Sequence, residues 1–204
     1  MTGPPQGRAR IGLFGGTFDP PHRGHVVVAS DVADALDLDC LLWIPARRSP
    51  HKPPGSGSPP EVRLEMVRAA AEGDPRFRVE TLELERDEPS YTVDTVRELR
   101  ARYPDAELFL VLGADQLRAF PSWREPERIV EDVRLAVMDR GGDSAREVAR
   151  GVPGGDRAVF VPVRRVDVSS TAVRARVREG RDISALVPER VREIIAREGL
   201  YSTG

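Results

Sequence analysis

Ile11-Gly12-Leu13-Phe14-Gly15-Gly16-Thr17-Phe18-Asp19-Pro20-Pro21-His22-Arg23-Gly24-His25-Val26-Val27-Val28-Ala29 starts apolar, turns on glycine and becomes apolar again. Its first four residues predict a first β-strand, and Val26 to Ala29 predict the opening of a helix. A glycine turn between a strand and a helix leaves backbone N–H groups where an anion can sit. The turn also carries His22 and His25, whose spacing puts both side chains on one face of a starting helix. Backbone donors, a helix dipole and two imidazoles facing one point suit a nucleotide phosphate chain. The fingerprint G-x-G-x-x-G is absent from this turn, which argues against a nicotinamide-dependent dehydrogenase. The histidine pair has a second reading as zinc ligands, for which no further ligand stands at a supporting spacing.

Outward from this block, strand-like and helix-like segments alternate. Strands are predicted at Cys40–Ile44, Phe77–Glu80, Leu108–Leu112, Leu135–Met138 and Val159–Val161. The continuous apolar run at Leu108–Leu112 is typical of a buried parallel strand. Ser58-Pro59-Pro60-Glu61 has the form of a capping box with proline at the first helical position. Further helices are predicted at Thr92–Tyr103, Thr171–Arg178 and Pro188–Glu198, the last ended by Gly199. Two stretches read as loops: Arg47–Pro60, rich in Pro, Gly and Ser, and Gly141–Asp156, glycine-rich and polar. This alternation predicts an α/β fold, a Rossmann-like doubly wound parallel sheet in a single domain. The domain is expected over 10–200, with 1–9 a disordered tail. Ligands of such sheets bind beyond the carboxyl ends of the strands, where the motifs singled out here cluster.

The bulk properties narrow the function class. The chain has 204 residues, of which 40% are hydrophobic, enough for one sizeable core. With 31 basic and 33 acidic residues the net charge is -2, which gives no reason to expect nucleic acid or a membrane as partner. A phosphate site must therefore come from local arrangement. Cys40 is the only cysteine, so neither an intrachain disulfide nor a cysteine metal cluster is available. Residues Met1 to Arg10 carry no apolar leader segment, and no apolar run reaches membrane-spanning length. The expected setting is cytoplasmic. Oligomeric state is left open, a homo-oligomer included.

Several further positions have the chemistry of a phosphate and ring site. Gly15 and Gly16 allow close backbone approach to a phosphate, and Thr17 and Phe18 can donate main-chain N–H groups. Arg47-Arg48-Ser49-Pro50-His51-Lys52 concentrates cations at the start of a loop. Asp115, just after Gly113 at a strand end, is placed to bind ribose hydroxyls or to cap the next helix. Trp123 is either a stacking platform or a core residue. Ser170 and Thr171 precede a helix whose free N–H groups point outward, and Arg174 offers a planar fork of donors one turn later.

His22-Arg23-Gly24-His25 resembles the HxGH signature of the nucleotidylyltransferase superfamily, and the block from Gly15 to His25 is most similar to the bacterial nicotinate-nucleotide adenylyltransferases. The resemblance runs from about Arg10 to Leu200. It implies transfer of an adenylyl group from ATP to nicotinate mononucleotide. His22 and His25 would contact the ATP phosphates, and Thr17 would lie between the phosphates of the two substrates. Lys52 matches the family's P-H-K loop. Ser90-Tyr91-Thr92 matches its S-Y-T segment, where Thr92 helps receive the nicotinate carboxylate largely through backbone donors. Gly113-Ala114-Asp115 matches its G-A-D element, Trp123 with Arg124 its pyridine-stacking position, and Ser169 to Arg174 its S-S-T-x-x-R signature. ATP binding is thereby assigned to Gly15, Gly16, Thr17, Phe18, Gly113, Asp115, Ser170 and Thr171. Acceptor binding is assigned to Thr17, Lys52, Thr92, Trp123 and Arg124, and catalysis to His22, His25 and Arg174. Mg²⁺ would arrive held mainly by ATP and water. The chain departs from the pattern after Asp139-Arg140, where Gly141-Gly142 replaces proline and glycine. The same adenylyl transfer to phosphopantetheine or nicotinamide mononucleotide, and a nucleotide-sensing module without turnover, are the alternatives.

Overall fold

The computed structural model describes residues 8–47, 57–86, 89–139 and 144–202. Six strands form one sheet: β1 (Arg10–Gly16), β2 (Cys40–Pro45), β3 (Phe77–Val79), β4 (Glu107–Leu112), β5 (Arg134–Asp139) and β6 (Val159–Pro162). Their order is β3-β2-β1-β4-β5-β6 and every pairing is parallel. This is the doubly wound arrangement, with the chain reversing direction of growth between β1 and β4. The helices between strands are α1 (Arg23–Ala35), α2 (Pro60–Ala71), α3 (Thr92–Arg102), α4 (Ala114–Ala119), α5 (Pro126–Asp132) and α6 (Ser144–Ala149). Two more, α7 (Ser170–Arg178) and α8 (Glu189–Arg197), follow β6. Among the described residues no helix is long and apolar enough to cross a membrane.

The apolar strands bury both faces because their side chains alternate. Ile11 and Leu13, Leu42 and Ile44, and Leu108, Leu110 and Leu112 enter one core with α3, α4, α5 and α6. Phe14, Leu41, Trp43, Phe109 and Val111 enter the other with α1 and part of α2. A third cluster joins Met66 and Ala70 of α2 to Val173, Val191, Ile194 and Ile195 of the C-terminal helices. The sheet is thus covered on both sides, and its carboxyl edge stays open.

All six predicted strands are present and the predicted helices fall near their expected places, while α5 and α6 were not expected. Ala9, inside the expected tail, is already tied to the sheet: its carbonyl accepts from the Glu107 N–H at 2.8 Å. Two expectations are corrected. No capping box forms at Ser58: the N-cap of α2 is Pro59, without a side-chain cap, and Pro60 holds the first helical position. The helix starts one residue too late for Ser58 and Glu61 to meet reciprocally, and the Ser58 N–H turns instead to Asp19. The stretch 141–156 is not an exposed loop where it is described. It forms α6 and a 3-10 turn at Gly155–Arg157, and Ala145, Ala149 and Val152 are buried in the core. The glycines and charges around these three residues conceal a short apolar stripe at helical spacing.

Candidate active site

The open edge is centred on the turn that follows β1. A Cβ on Gly16 would stand 2.9 Å from the Phe18 ring, because Phe18 takes a left-handed backbone conformation and folds back over the turn. That ring is buried against Phe14, Trp43 and His25, with centroids 5.2 to 5.5 Å apart. The side chain of Phe18 is therefore core, and whatever it offers a ligand comes from its backbone. A Cβ on Gly15 would meet nothing within 4 Å, so the strand end is open there to a close approach.

His22 is the N-cap of α1. Its Nδ1 accepts from the His25 N–H at 3.3 Å, and the His25 Nδ1 accepts from the His22 N–H at 3.1 Å. The rings stack with centroids 3.7 Å apart. This is a capping box built from two imidazoles, and it makes α1 and the histidine geometry one feature. Since each Nδ1 accepts, each neutral ring carries its proton on Nε2. The pair therefore presents N–H donors, which suits phosphate oxygens. Zinc would need the Nε2 lone pairs and hence the other tautomer, whose Nδ1–H would face a backbone N–H. Gly24 is required by the same stacking: a Cβ there would come within 3.1 Å of the His22 ring and 3.0 Å of Val168.

Residues far along the chain hold this turn from behind. The buried Asp19 carboxylate accepts from the Tyr201 phenol at 2.6 Å and from the Ser58 N–H at 3.3 Å. Burial and this bond push the phenol of Tyr201 well above its ordinary range. The Asp19 carbonyl accepts from Arg174 Nη1 at 2.7 Å, and the Pro20 carbonyl from the Ser170 hydroxyl at 2.8 Å. Arg174 Nη2 reaches Thr171 Oγ1 at 3.2 Å, while Ser169 caps α7 by accepting from the Ala172 N–H at 3.1 Å. Arg63 is 3% exposed. Its guanidinium donates to the carbonyls of Thr17, Ala46, Arg47 and Ser58 at 2.7 to 3.2 Å.

Two cavities open on either side of the Gly15-Gly16 wall, and both are also lined by Gln116. One, of about 290 Å³, is lined by Thr17, Glu83, Ser90, Thr92, Trp123 and Arg124 over an apolar floor from β1 and β4. Thr92 is the first residue of α3, so N–H groups of that helix's first turn lie at the cavity wall. Trp123 is half-buried beside Phe120, and the Arg124 guanidinium lies 4.8 Å from the Tyr91 ring centre. The other cavity, of about 360 Å³, is lined by Phe18, His22, His25 and Ser169. Burial raises the Glu83 carboxyl above its ordinary range, although the Thr95 and Ser90 hydroxyls and Arg86 oppose that rise.

The sequence-derived set thus divides. Gly15, Gly16, Thr17, Phe18, His22, His25, Thr92, Trp123 and Arg124 line the two cavities. Ser170, Thr171 and Arg174 do not; Ser170 and Arg174 bond the turn itself. Gly113 and Asp115 line neither cavity. The Gly113 N–H is taken by Gln116 Oε1 at 2.9 Å, and the fully solvent-facing Asp115 carboxylate pairs with Arg118 at 2.8 Å. Asp115 does not cap α4, whose N-cap is Gly113. Lys52 lies outside the described residues. Arg63, Glu83, Gln116 and Tyr201 went unnoticed in the sequence. Only Arg63 carried a signal: with Met66, Val67 and Ala70 it occupies the buried stripe of α2, where a charge calls for a partner.

A family model described as cytidylyltransferase-like matches residues 13–176. The chain is 45% identical over 192 residues to a probable nicotinate-nucleotide adenylyltransferase of Thermus thermophilus, covering 94% of this chain and 99% of that one. It is 43% identical to one so named from Geobacillus thermodenitrificans, covering 94% and 86%. In fold it is similar to the Plasmodium falciparum nicotinic acid mononucleotide adenylyltransferase complexed with APC. The TM-score there is 0.77, at 18% identity, covering 95% of this chain and 98% of that one. The last likeness speaks for the fold alone; the identity to the bacterial proteins over nearly the whole chain, on top of the matched model, places the chain in the nicotinate-nucleotide adenylyltransferase family.

Proposed function

We propose that this chain transfers the adenylyl group of ATP to nicotinate mononucleotide, giving nicotinate adenine dinucleotide and pyrophosphate, as a step in NAD biosynthesis. The observation that carries the reading is the pair of cavities that share the Gly15-Gly16 end of β1 as a wall. One has the histidine donors and the other an aromatic platform beside a helix N-terminus, which matches two nucleotides meeting phosphate to phosphate. A phosphate oxygen of the mononucleotide forms a bond to the α-phosphorus of ATP as the bond to the β-phosphate bridging oxygen breaks. The attacking oxygen is already ionised near neutral pH, so no general base and no covalent nucleophile is needed. The protein's part is alignment, which can supply roughly 7–11 kcal/mol, and stabilisation of charge as pyrophosphate leaves.

In this reading His22 and His25 donate from Nε2 to the ATP phosphates, and Thr17 sits between the two substrates. Thr92 and the first turn of α3 receive the nicotinate carboxylate, and Trp123 stacks on the ring with Arg124 at its edge. Lys52 is assigned to the acceptor side by family likeness alone. Arg174 holds the turn through its Asp19 and Thr171 contacts, and keeps a catalytic assignment by likeness alone. Gly113, Asp115, Ser170 and Thr171 keep an ATP-side assignment by likeness alone. Among the described residues no three or more His, Cys, Asp or Glu side chains converge on a metal position. Mg²⁺ would be held by the ATP phosphates and water, and would supply charge neutralisation for the leaving pyrophosphate. A cytoplasmic setting suits a reaction that draws on ATP.

Pyrophosphate release with each acceptor at equal Mg²⁺-ATP tests the reading. Backbone donors at the α3 terminus match both oxygens of a carboxylate, whereas an amide turns its NH₂ on one of them. An unmatched buried donor costs about 1–3 kcal/mol, so nicotinate mononucleotide is expected to exceed nicotinamide mononucleotide at least tenfold in kcat/KM. Trp123→Ala is expected to weaken both acceptors and to leave ATP nearly unaffected. Equal efficiency with the amide, or turnover only with a phosphopantetheine acceptor, overturns the assignment.

A further inference from the structure

Glu83 lies in the wall of the Thr92–Trp123 cavity, 8% exposed, on the short segment between β3 and α3. Its Oε1 accepts from the Thr95 hydroxyl at 2.7 Å, and Thr95 is itself 3% exposed in the first turns of α3. The Ser90 hydroxyl lies beside this carboxylate and favours its charged form. A hydroxyl has one proton and two lone pairs, and Ser90 Oγ uses a lone pair to accept from the Arg47 N–H at 3.1 Å. Arg47 is the residue at which the chain leaves β2, and its carbonyl is held by Arg63. One buried carboxylate therefore holds the start of α3 through Thr95, and it lies beside the Ser90 hydroxyl that accepts from the Arg47 N–H at the exit of β2.

Holding this carboxylate in place has a cost, since burial penalises its charge. A carboxylate kept against that cost, beside a ring pocket and bonded to the Thr95 hydroxyl, fits a role in geometry. We propose that Glu83 is a positioning residue for the acceptor: it sets the Ser90–Thr92 turn, and with it the donors that meet the acceptor's ring carboxylate. The inference rests on the proposed adenylyl transfer to nicotinate mononucleotide. Its effect is confined to one substrate, because the histidine cavity has none of Arg47, Glu83, Ser90 and Thr95 in its wall.

The test compares wild type with Glu83→Ala, Glu83→Gln and Ser90→Ala, using steady-state kinetics and calorimetric titration with nicotinate mononucleotide and with ATP. Glu83→Ala is expected to raise KM for the mononucleotide at least tenfold, with KM for ATP within twofold of wild type. Glu83→Gln keeps an oxygen for Thr95 but turns an NH₂ toward Ser90, so its KM is expected to fall between the two. Ser90→Ala removes both the Arg47 link and the hydroxyl beside Glu83, and is expected to raise the same KM about threefold. If Glu83→Ala does not fold, the other two variants carry the test. Unchanged acceptor KM in folded variants, or a parallel rise in KM for both substrates, overturns the role of Glu83. A wild-type protein that neither binds nor turns over nicotinate mononucleotide overturns the proposed function and this inference with it.

Discussion

His22 and His25 each do two things, and substitutions must separate them. As mutual caps they satisfy two N–H groups at the start of α1; as Nε2 donors they face the cavity proposed for ATP. His25→Ala is expected to lower kcat at least about 100-fold through the lost donor and to cost about 1 kcal/mol of stability through the lost cap. His25→Asn keeps a side-chain oxygen near the cap and is expected to restore most of the stability and none of the turnover. Thermal unfolding beside kcat measures both, and a folded His25→Asn protein with near-normal kcat would rule out the donor role. Glu83 shows the opposite balance. Burial raises its carboxyl above the ordinary 4.5, so the folded chain holds this proton more tightly than the unfolded chain. Its contribution to stability is complete below that ordinary value and is lost as pH rises through the raised one. Glu83→Gln is free of this loss. The difference in melting temperature, Gln minus wild type, is expected to grow with pH above 4.5; a constant difference across pH 4 to 8 would show that the folded and unfolded values coincide.

At the scale of elements, Arg63 ties three of them together. It stands on α2 and bonds carbonyls in the turn after β1, at the end of β2 and at the entry to α2 itself. Carbonyls beyond the strand ends have no ladder partner, and these four lie in partly buried surroundings. One guanidinium answers four of them, because its donors form a planar fork. Arg63→Lys leaves a single ammonium that cannot reach all four. It is expected to destabilise the protein by about 2 kcal/mol, the scale of one charged hydrogen bond lost, as read by urea unfolding. A change within 0.5 kcal/mol in that measurement would mean that water or neighbouring donors already serve these carbonyls. The same device closes the opposite edge of the sheet, where Arg100 donates to the carbonyls of Tyr103, Pro104, Ala106 and Asp132.

Across the whole molecule, the two ends of the chain meet at the site. Tyr201, near the C-terminus, bonds the carboxylate of Asp19, in the turn after the first strand, and Arg174 and Ser170 bond the carbonyls beside it. The cluster of α2, α7 and α8 seats these groups by burying Val173, Val191, Ile194 and Ile195 against Met66 and Ala70. Tyr201→Phe keeps that packing and removes one donor from a buried carboxylate. It is expected to cost about 1–3 kcal/mol and to lower kcat with both acceptor and ATP affinities moving together, since the turn borders both cavities. An unchanged melting temperature together with unchanged kcat would make the tie incidental.

The order of strands and helices was legible in the chain because it depends on local alternation and on glycine and proline punctuation. Ile11 to Phe14, Leu108 to Leu112 and the block from Gly15 to His25 could be read where they stand. His22 and His25 stand in such a block, and Thr92 and Trp123 were assigned by family likeness; all four lie in the cavity walls. Asp115 follows a strand as Gly15 does, yet its side chain turns to Arg118 and solvent; rotation about one bond decides that, and no spacing encodes it. The helix in 144–149 was missed because three small apolar residues among glycines carry too little periodicity. Glu83 and Tyr201 look like ordinary polar residues until the fold buries the one and brings the other to Asp19, 182 positions away; Arg63 shows itself only as a charge on the apolar stripe of α2. The sequence by itself determined the doubly wound sheet and the glycine and histidine block that follows its first strand, both products of short-range pattern. Only the tertiary structure decided which distant carbonyls and carboxylates are buried together, and so which arginine, glutamate and tyrosine must answer them.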